Sequence, residues 1–270
     1  MMALSPVEIE RYARHIVLPE MGGAGQAKLK DARVLVVGAG GLGSPVLFYL
    51  AAAGLGTIGI VDDDVVSLSN LQRQIIHRSE DVGRPKTESA ARAIAALNPH
   101  VTVHQHQSRL SAANALDLIA AYDLVIDACD NFPTRFLASD ACYFAQKPLV
   151  SAAVGQFDGQ ISTFKPYLSA PSGTPWPSYR CFIGDLPERA AFPTCEEMGI
   201  LGALPGILGS MQAMEAIKEI LGIGEGLAGR VLMYDALLAR VMITALPWNP
   251  DNPLTGRPPR ITGLDPANYT

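Results

Sequence analysis

Basic stretches are missing from this 270-residue sequence, whose net charge is −5. Because the chain has no stripe of lysine and arginine residues, we do not expect nucleic acid to be its main ligand. Long apolar runs are missing too. The most apolar stretch, residues 199–214, contains Pro205 and Gln212 and is shorter than the roughly 20 residues that span a bilayer. We therefore expect a buried helix there and no membrane partner.

Cysteine is scarce, with four residues in the chain and no pair in a CxxC spacing. Residues 1–10 carry two glutamates and no apolar segment of a signal peptide. Together these features predict reduced thiols in a cytoplasmic protein. Apolar residues make up 49% of the chain, enough for a sizeable core.

Residues 33–64 organise the chain. A short apolar strand leads into the loop GAGGLG, and a helix follows; a second apolar run then ends in three aspartates. Glycines allow a tight turn and close approach of the backbone to a phosphate, and the helix N-terminus favours an anion. Asp62 stands about 20 residues past the glycines, where an acid can hold a ribose hydroxyl. The pattern predicts a nucleotide site, with a plain α/β turn as the alternative; its glycines are Gly38, Gly40, Gly41 and Gly43.

Strand patterns alternate with helix patterns through the first 160 residues, and an antiparallel pair follows near the end. We therefore predict one α/β domain over residues 1–270. It is a Rossmann-like open sheet, mostly parallel in the N-terminal part, with an antiparallel C-terminal extension and helices on both faces. Its predicted parts are a nucleotide-binding part (1–160), a mobile crossing loop (165–203), a helix with antiparallel strands (204–245) and an irregular tail (247–270). Residues 21–25 are expected to be a glycine-rich loop.

Five charged residues follow strands or begin a helix: Asp62, Asp64, Arg73, Lys86 and Asp130. A triphosphate needs cations and a magnesium ion, and arginine and lysine can grip its phosphates while a carboxylate holds the metal. No general base is evident in this set. Attack of a carboxylate on the α-phosphate of ATP needs none, because a carboxylate is already ionised at neutral pH.

Several short motifs occur together in the chain. They are Arg11-Tyr12, Arg14-His15, Leu18-Pro19-Glu20, the loop of residues 38–43, Asp62-Asp63-Asp64, Ser69-Asn70-Leu71-Gln72-Arg73-Gln74, Gly83, Pro85-Lys86 and Asp130-Asn131. In combination they resemble the bacterial ubiquitin-activating-type adenylyltransferases, above all those of the molybdopterin-synthase and thiamine pathways. The resemblance covers about residues 5–245.

The resemblance implies an enzyme that binds Mg-ATP and adenylates the C-terminal glycine of a ubiquitin-like sulfur carrier ending in Gly-Gly. A sulfur donor, such as a cysteine desulfurase or a rhodanese, would then supply the sulfur of a thiocarboxylate. Asp130 matches the family's metal aspartate. The positions that match its ATP contacts are Gly41, Asp62, Asn70, Arg73, Lys86 and Asn131. The predicted cofactor-binding residues also include Gly38, Gly40, Gly43, Asp64, Gln74 and Asp130.

Two further residues are assigned a functional role only by the resemblance. Arg14 lies on a predicted helix where an arginine is otherwise a solvated surface residue. In the family such an arginine reaches the site of the partner subunit, which implies a homodimer. Cys195 matches a cysteine that in some members links covalently to the carrier or to sulfur and in others is dispensable. Taken alone, a single cysteine is an ordinary small apolar residue.

The chain departs from the family in its metal pattern. Many members hold a structural zinc with two CxxC pairs. Here the first pair corresponds to Ser178-Tyr179-Arg180-Cys181, and the second falls near Asn252-Pro253-Leu254-Thr255. One thiol cannot form a tetrahedral four-cysteine site, so we predict no structural zinc.

Three rival interpretations remain open. A nicotinamide dehydrogenase shares the glycine loop and Asp62 but leaves Arg73, Lys86 and Asp130 unexplained. A dehydratase that activates threonylcarbamoyl-adenosine in tRNA is a second rival, which the acidic balance disfavours. A catalytically inactive binding module is the third. The carrier's pathway, whether molybdopterin, thiamine, cysteine or tRNA sulfur transfer, is left open by the sequence.

Overall fold

The computed structural model describes residues 3–187 and 199–269. Their strands form one sheet in the spatial order β3-β2-β1-β4-β5-β6-β7-β8. The strands are β1 Arg33–Val37, β2 Thr57–Val61, β3 Thr102–His106, β4 Leu124–Asp127, β5 Leu149–Val154, β6 Asp158–Phe164, β7 Arg230–Asp235 and β8 Arg240–Ala245.

The first five strands are parallel and the last three are antiparallel to their neighbours. This confirms the predicted Rossmann-like sheet with its antiparallel extension. In the parallel part Val36 lies opposite Ile60 of β2 and Ile126 of β4. The carboxyl ends of these central strands therefore meet at one edge, where open α/β sheets bind ligands.

Helices cover both faces of the sheet. They are α1 Pro6–Arg11, α2 Ala13–Ile16, α3 Gly22–Asp31, α4 Gly43–Ala52, α5 Lys86–Leu97, α6 Ala115–Ala120, α7 Phe132–Phe144, α8 Tyr179–Ile183 and α9 Ala203–Leu221. One core packs β1 and β2 against α4 and α9, with Leu47 and Leu208 fully buried; the other packs β4 against α7 through Phe136. Within residues 3–187 and 199–269, none of the helices has both the length and the apolarity to cross a membrane.

The expectation of a loop over residues 21–25 is wrong, because α3 begins at Gly22. Tertiary contacts override the low helix propensity of glycine. Gly25 lies against the side chains of Met21 and Leu221. Gln26 is fully buried and donates a hydrogen bond to the carbonyl of Ala53 at 2.8 Å.

A short helix, α8, whose first two residues are buried, occupies part of the predicted crossing loop. Arg180 of α8 forms a buried ion pair with Asp140 of α7 at 2.7 Å. The Tyr269 hydroxyl donates to the same carboxylate at 3.1 Å. The tail is otherwise irregular and ends in a 3₁₀ turn, Pro266–Tyr269. Residues 188–198 of the predicted loop lie outside the described part of the chain.

The start of α1 provides a prediction about acid stability. The Glu8 carboxylate accepts hydrogen bonds from the Ser5 backbone N–H and from Lys30, each at 2.8 Å. Burial raises the pKa of Glu8, but these hydrogen bonds outweigh it and hold the pKa at about 2. Since the pKa is lower than in the unfolded chain, the stabilisation is complete above about pH 4.5 and is lost as pH falls toward 2.

We expect Glu8→Gln to lower the free energy of unfolding at pH 7 by about 1 kcal/mol. Urea denaturation at a series of pH values measures this, with Glu10→Gln, an exposed residue of the same helix, as the control. The difference between Glu8→Gln and wild type should shrink below pH 4.5. A difference that stays constant down to pH 3 contradicts the assignment.

Candidate active site

A cleft of about 280 Å³ opens at the carboxyl ends of the central strands. It lies between the glycine loop after β1 and the turns that follow β2, β3 and β4. Its lining residues are Val37, Gly38, Gly40, Gly41, Leu42, Val61, Asp62, Asp63, Asp64, Arg73, Gln74, Lys86, Ser108, Arg109, Leu110, Ala128, Cys129, Asp130, Asn131, Thr134, Arg135, Val154, Ile200 and Pro205.

The glycine loop has the tight geometry that its sequence predicts. Gly38 has φ +99°, and a Cβ there would lie 2.8 Å from the carbonyl oxygen of Ala128. A Cβ on Gly43 would clash with the carbonyl of Gly38. Gly43 therefore lies behind the loop, where it lets α4 begin close to β1, and Gly38, Gly40 and Gly41 line the cleft.

Asp62 joins the glycine loop to the acidic turn. One carboxylate oxygen accepts from the Ala39 N–H at 2.8 Å and the other from the Asp64 N–H at 2.9 Å. Burial raises the pKa of Asp62, and the positive charge of Lys86 partly offsets this. A carboxylate oxygen has a second lone pair, so Asp62 can also accept from a ligand in the cleft.

Lys86 is a buried cation at the start of α5. Its Nζ lies 2.7 Å from Asp64 Oδ2, and only 7% of its side chain is exposed, against 67% for Asp64. Its backbone N–H donates to the Asp64 carbonyl at 3.0 Å. The ammonium group is thus held at the cleft by the helix and paired with a carboxylate on the solvent side.

The segment after β2 brings Arg73 and Gln74 to the cleft. Arg73 donates to the carbonyl of Ser69 at 3.1 Å. Gln74 is buried, and its Oε1 has no hydrogen-bond partner among the described residues. Asn70 is also buried, but it lies behind the cleft, where its side chain accepts from the Ser67 N–H at 3.3 Å.

Asp130 and Asn131 follow β4 at the mouth of the cleft. Asn131 caps α7 by accepting from the Thr134 N–H at 3.0 Å, and its amide lies 3.4 Å from Asp130 Oδ1. The Asp130 side chain is exposed. Asp130 lines the cleft one residue before the helix cap Asn131, so its carboxylate oxygens are available to a ligand there.

A buried charge network lies beneath Asp130. Asp127 accepts from Ser151 at 2.6 Å and from the Cys129 thiol at 2.8 Å. Burial raises the pKa of Cys129, and the nearby Asp127 carboxylate raises it further, so this thiol is protonated. Arg135 donates to the carbonyl of Cys129 at 2.6 Å; burial lowers its pKa, but Asp127 and other anionic groups outweigh this and the pKa is raised.

Sequence reasoning missed the residues after β3 and those beneath Asp130. Ser108, Arg109 and Leu110 line the cleft, and Arg109 is exposed. Their position just past a strand end was the available signal. Arg135 gave no such signal, since one arginine within a helix pattern is usually solvated.

The structure does not bring every predicted site residue together. Arg14 is exposed on α2 and is not part of the lining of the cleft in its own subunit. Cys195 lies outside the described residues. In the described ranges, one group of three acidic side chains has its ligand atoms within 4.8 Å of one another: Asp62, Asp63 and Asp64. Asp130, the predicted metal ligand, does not belong to this group.

The two segments that correspond to the family's zinc pairs lie next to each other. Cys181 Sγ accepts from the Asn252 side-chain amide at 3.0 Å and lies 3.7 Å from the Ser178 hydroxyl. The Asn252 amide also donates to Thr255 at 2.7 Å. Hydrogen bonds around one thiol therefore join these segments.

Comparisons with known proteins identify a family model and relatives that are similar to this chain. A model of the ThiF family matches residues 12–254. The chain is 49% identical to the sulfur carrier protein adenylyltransferase of Thermus thermophilus, covering 93% of this chain and 92% of that protein. It is 46% identical to the SAMP-activating enzyme E1 of Haloferax volcanii, covering 94% and 92%.

One longer relative and one solved structure are also similar to this chain. The probable adenylyltransferase/sulfurtransferase MoeZ of Mycobacterium tuberculosis is 49% identical over 93% of this chain but 63% of its own length. The crystal structure of E. coli MccB with ATP superimposes with a TM-score of 0.76 at 22% identity, over 91% of this chain and 74% of that one. At that identity the likeness shows a shared fold.

Proposed function

This chain belongs to the ThiF family, and from that premise we propose that it adenylates the C-terminal glycine carboxylate of a small ubiquitin-like sulfur carrier with ATP. The observation that carries the proposal is the cleft itself. It combines a glycine loop at a helix N-terminus with the cations Lys86 and Arg73 and the exposed carboxylate of Asp130. Relatives at 49% and 46% identity named for a sulfur carrier protein and for SAMP activation support the choice of substrate.

In the proposed reaction a carboxylate oxygen of the carrier attacks the α-phosphorus of ATP. The bond to the bridging oxygen of pyrophosphate breaks, and pyrophosphate leaves with the electron pair. The product is an acyl-adenylate. No proton has to be removed, since the nucleophile is already ionised. Catalysis therefore consists of positioning and of charge stabilisation.

The chemistry of each residue in the cleft indicates its role in positioning or in charge stabilisation. Lys86 and Arg73 bind the phosphates and the departing pyrophosphate, because a buried ammonium and a guanidinium fork are strong anion partners. The Lys86 ammonium gives up part of its contact with the exposed Asp64 when a phosphate oxygen binds. Asp62 accepts from the ribose, and the glycine loop admits the phosphates to the backbone.

A magnesium ion fits the donor set at the mouth of the cleft. Mg²⁺ prefers oxygen ligands and usually takes one or two carboxylates together with substrate phosphates. Asp130 offers exposed carboxylate oxygens, with the Asn131 amide beside them. When bound, the ion neutralises part of the phosphate charge that develops as pyrophosphate departs.

Exchange of labelled pyrophosphate into ATP tests the proposed function. The purified protein is assayed with Mg-ATP and each small Gly-Gly-tailed protein of its host. Exchange with at least one carrier is expected, and none with ATP alone. Exchange that depends on tRNA instead favours the dehydratase. Absence of exchange together with NAD reduction overturns the proposal in favour of a dehydrogenase.

The active protein in this account is a homodimer with two composite sites. Arg14 is an exposed arginine on the short helix α2, with no place in the lining of its own cleft. From the family pattern we infer that it enters the cleft of the partner subunit, where it adds a further positive charge to the phosphate site.

Cys195 acts after adenylation in this account. Its thiolate attacks the carbonyl carbon of the acyl-adenylate, so a thioester to the carrier forms and AMP leaves with the electron pair of the broken bond. Hydrosulfide released by the sulfur donor then attacks the thioester, which gives the thiocarboxylate and frees the Cys195 thiol. Cys195→Ala is therefore expected to exchange pyrophosphate at the wild-type rate but to form thiocarboxylate at least about tenfold more slowly. Mass spectrometry of the carrier after addition of a sulfur donor measures the second step. Thiocarboxylate formation at the normal rate removes Cys195 from the mechanism.

Within residues 3–187 and 199–269, the two segments that correspond to the family's zinc pairs do not form a suitable ligand set for a structural zinc. Cys181 is accompanied by Ser178, Asn252 and Thr255 rather than by three more thiolates. Elemental analysis of the purified protein is therefore expected to give far less than one zinc per chain. Addition of a strong chelator should leave the melting temperature unchanged. Stoichiometric zinc contradicts the prediction.

A further inference from the structure

Ala39, inside the glycine loop, has both backbone polar groups fixed by side chains from other parts of the chain. Its N–H donates to Asp62 at 2.8 Å. Its carbonyl oxygen lies 2.9 Å from Nε2 of His77. Ala39 is fully buried and His77 is 6% exposed. Because a carbonyl can only accept, the His77 Nε2 carries a proton and donates it.

The direction of the Ala39 carbonyl sets the direction of the next N–H. In a planar trans peptide the carbonyl and the following N–H point opposite ways. Since the Ala39 carbonyl points at His77, the N–H of Gly40 points away from His77. Gly40 and Gly41 line the cleft, and no described residue accepts a hydrogen bond from either N–H. Such N–H groups are ready partners for an anion.

The His77 ring is itself held in place. Its Nδ1 lies 2.9 Å from the Ser89 hydroxyl on α5, and that hydroxyl lies 2.9 Å from Asp81. Asp81 in turn accepts from Arg92 at 2.8 Å. Both ring nitrogens therefore have partners, and the ring cannot rotate without losing two contacts. The chain of contacts ties the glycine loop to α5, the helix that carries Lys86.

We propose that His77 is a positioning residue for nucleotide binding. By holding the Ala39 carbonyl, it keeps the Gly40 N–H directed toward the phosphates of ATP. The inference rests on the proposed function, because it assumes that ATP is the ligand of the cleft. In this role His77 affects binding of the phosphates of ATP and not of its nucleoside. Binding of ATP can therefore be compared with binding of adenosine.

Calorimetric binding of Mg-ATP and of adenosine to the full chain tests the proposal. We expect His77→Leu to weaken ATP binding about tenfold, the loss of one hydrogen bond to a charged group. Adenosine binding should change less than about twofold. His77→Gln keeps an N–H donor of similar reach and should stay within about threefold of wild type for ATP. Asn98→Ala removes buried hydrogen bonds to Tyr12 and Ala51 elsewhere and should leave ATP binding unchanged.

Each result decides between the explanations. Parallel weakening of ATP and adenosine by His77→Leu, or equal loss in His77→Leu and His77→Gln, means that the residue only stabilises the fold and overturns the proposal. Unchanged ATP binding by His77→Leu overturns it as well. If that variant does not fold, Ser89→Ala is measured: it should weaken ATP about threefold and spare adenosine, and unchanged ATP binding rejects the proposal. A wild-type protein that binds no ATP rejects the proposed function itself.

Discussion

Replacing Asp130 with alanine should lower ATP–pyrophosphate exchange by about a thousandfold while leaving the fold intact. The loss is large because this exposed carboxylate is the candidate magnesium ligand, and the phosphate charge that develops during the reaction then goes uncompensated. Stability should change by less than about 0.5 kcal/mol, since the side chain is exposed and its neighbour Asn131 caps α7 without it.

Exchange kinetics and thermal denaturation of the same preparation measure both effects. Asp117→Ala is the matched control, since it also removes an exposed aspartate near a helix start, away from the lining of the cleft. Its exchange rate should equal that of wild type. Normal exchange by Asp130→Ala removes the metal assignment, whereas a loss of exchange accompanied by unfolding shows a structural role for the carboxylate.

Arg14→Ala and Lys86→Met should each abolish exchange when purified alone, yet recover activity when mixed. The reason is the composite site, in which Lys86 comes from one subunit and Arg14 from its partner. A mixed dimer has one site with both defects and one site with neither. After equal amounts are unfolded together and refolded, half of the dimers are mixed, so about a quarter of wild-type activity is expected.

Two results contradict this account of the dimer. Mixtures with no more activity than the separate variants mean that Arg14 and Lys86 serve the same subunit. An Arg14→Ala protein with wild-type exchange means that Arg14 is an ordinary surface residue. A mixture of Lys86→Met with Arg73→Ala is the control: both residues line the same cleft, so mixing them should restore nothing.

The glycine loop and the charges at the strand ends were predictable because their spacing in the sequence is local. Gly38 and Asp62 each follow a buried strand, and the parallel pairing of β1 with β2 brings those ends together. The order of motifs along the chain therefore translates directly into neighbours in space. The family assignment, which rests on the same motifs, is confirmed by the match to residues 12–254.

The supporting side chains could not be predicted, because their partners are distant in sequence and the residues themselves look ordinary. His77 finds Ala39 across 38 residues, and Arg135 reaches the carbonyl of Ala152 across 17. Neither position has a local pattern that separates it from a solvated residue. Each is identified only when the fold shows which backbone carbonyl it meets.

The prediction of a glycine-rich loop near the N-terminus was wrong for a related reason. Residues 22–25 have a composition typical of a loop, yet they form the first turn of α3. At Gly25 a Cβ would lie 3.0 Å from the Met21 side chain and 3.6 Å from that of Leu221, so the small residue permits a close contact there. Local propensity is a weak prior when a tight contact favours small residues. The roles assigned to all the site residues, including Asn70, Arg14 and Cys195, stay predictions.

The mass of a carrier protein after incubation with this enzyme and Mg-ATP tests the central claim most directly. The account predicts a carrier that gains one adenylyl group at its C-terminal glycine and loses it again when pyrophosphate is added. A carrier whose mass never changes, with any Gly-Gly-tailed protein of the host and with ATP bound in the cleft, would contradict it.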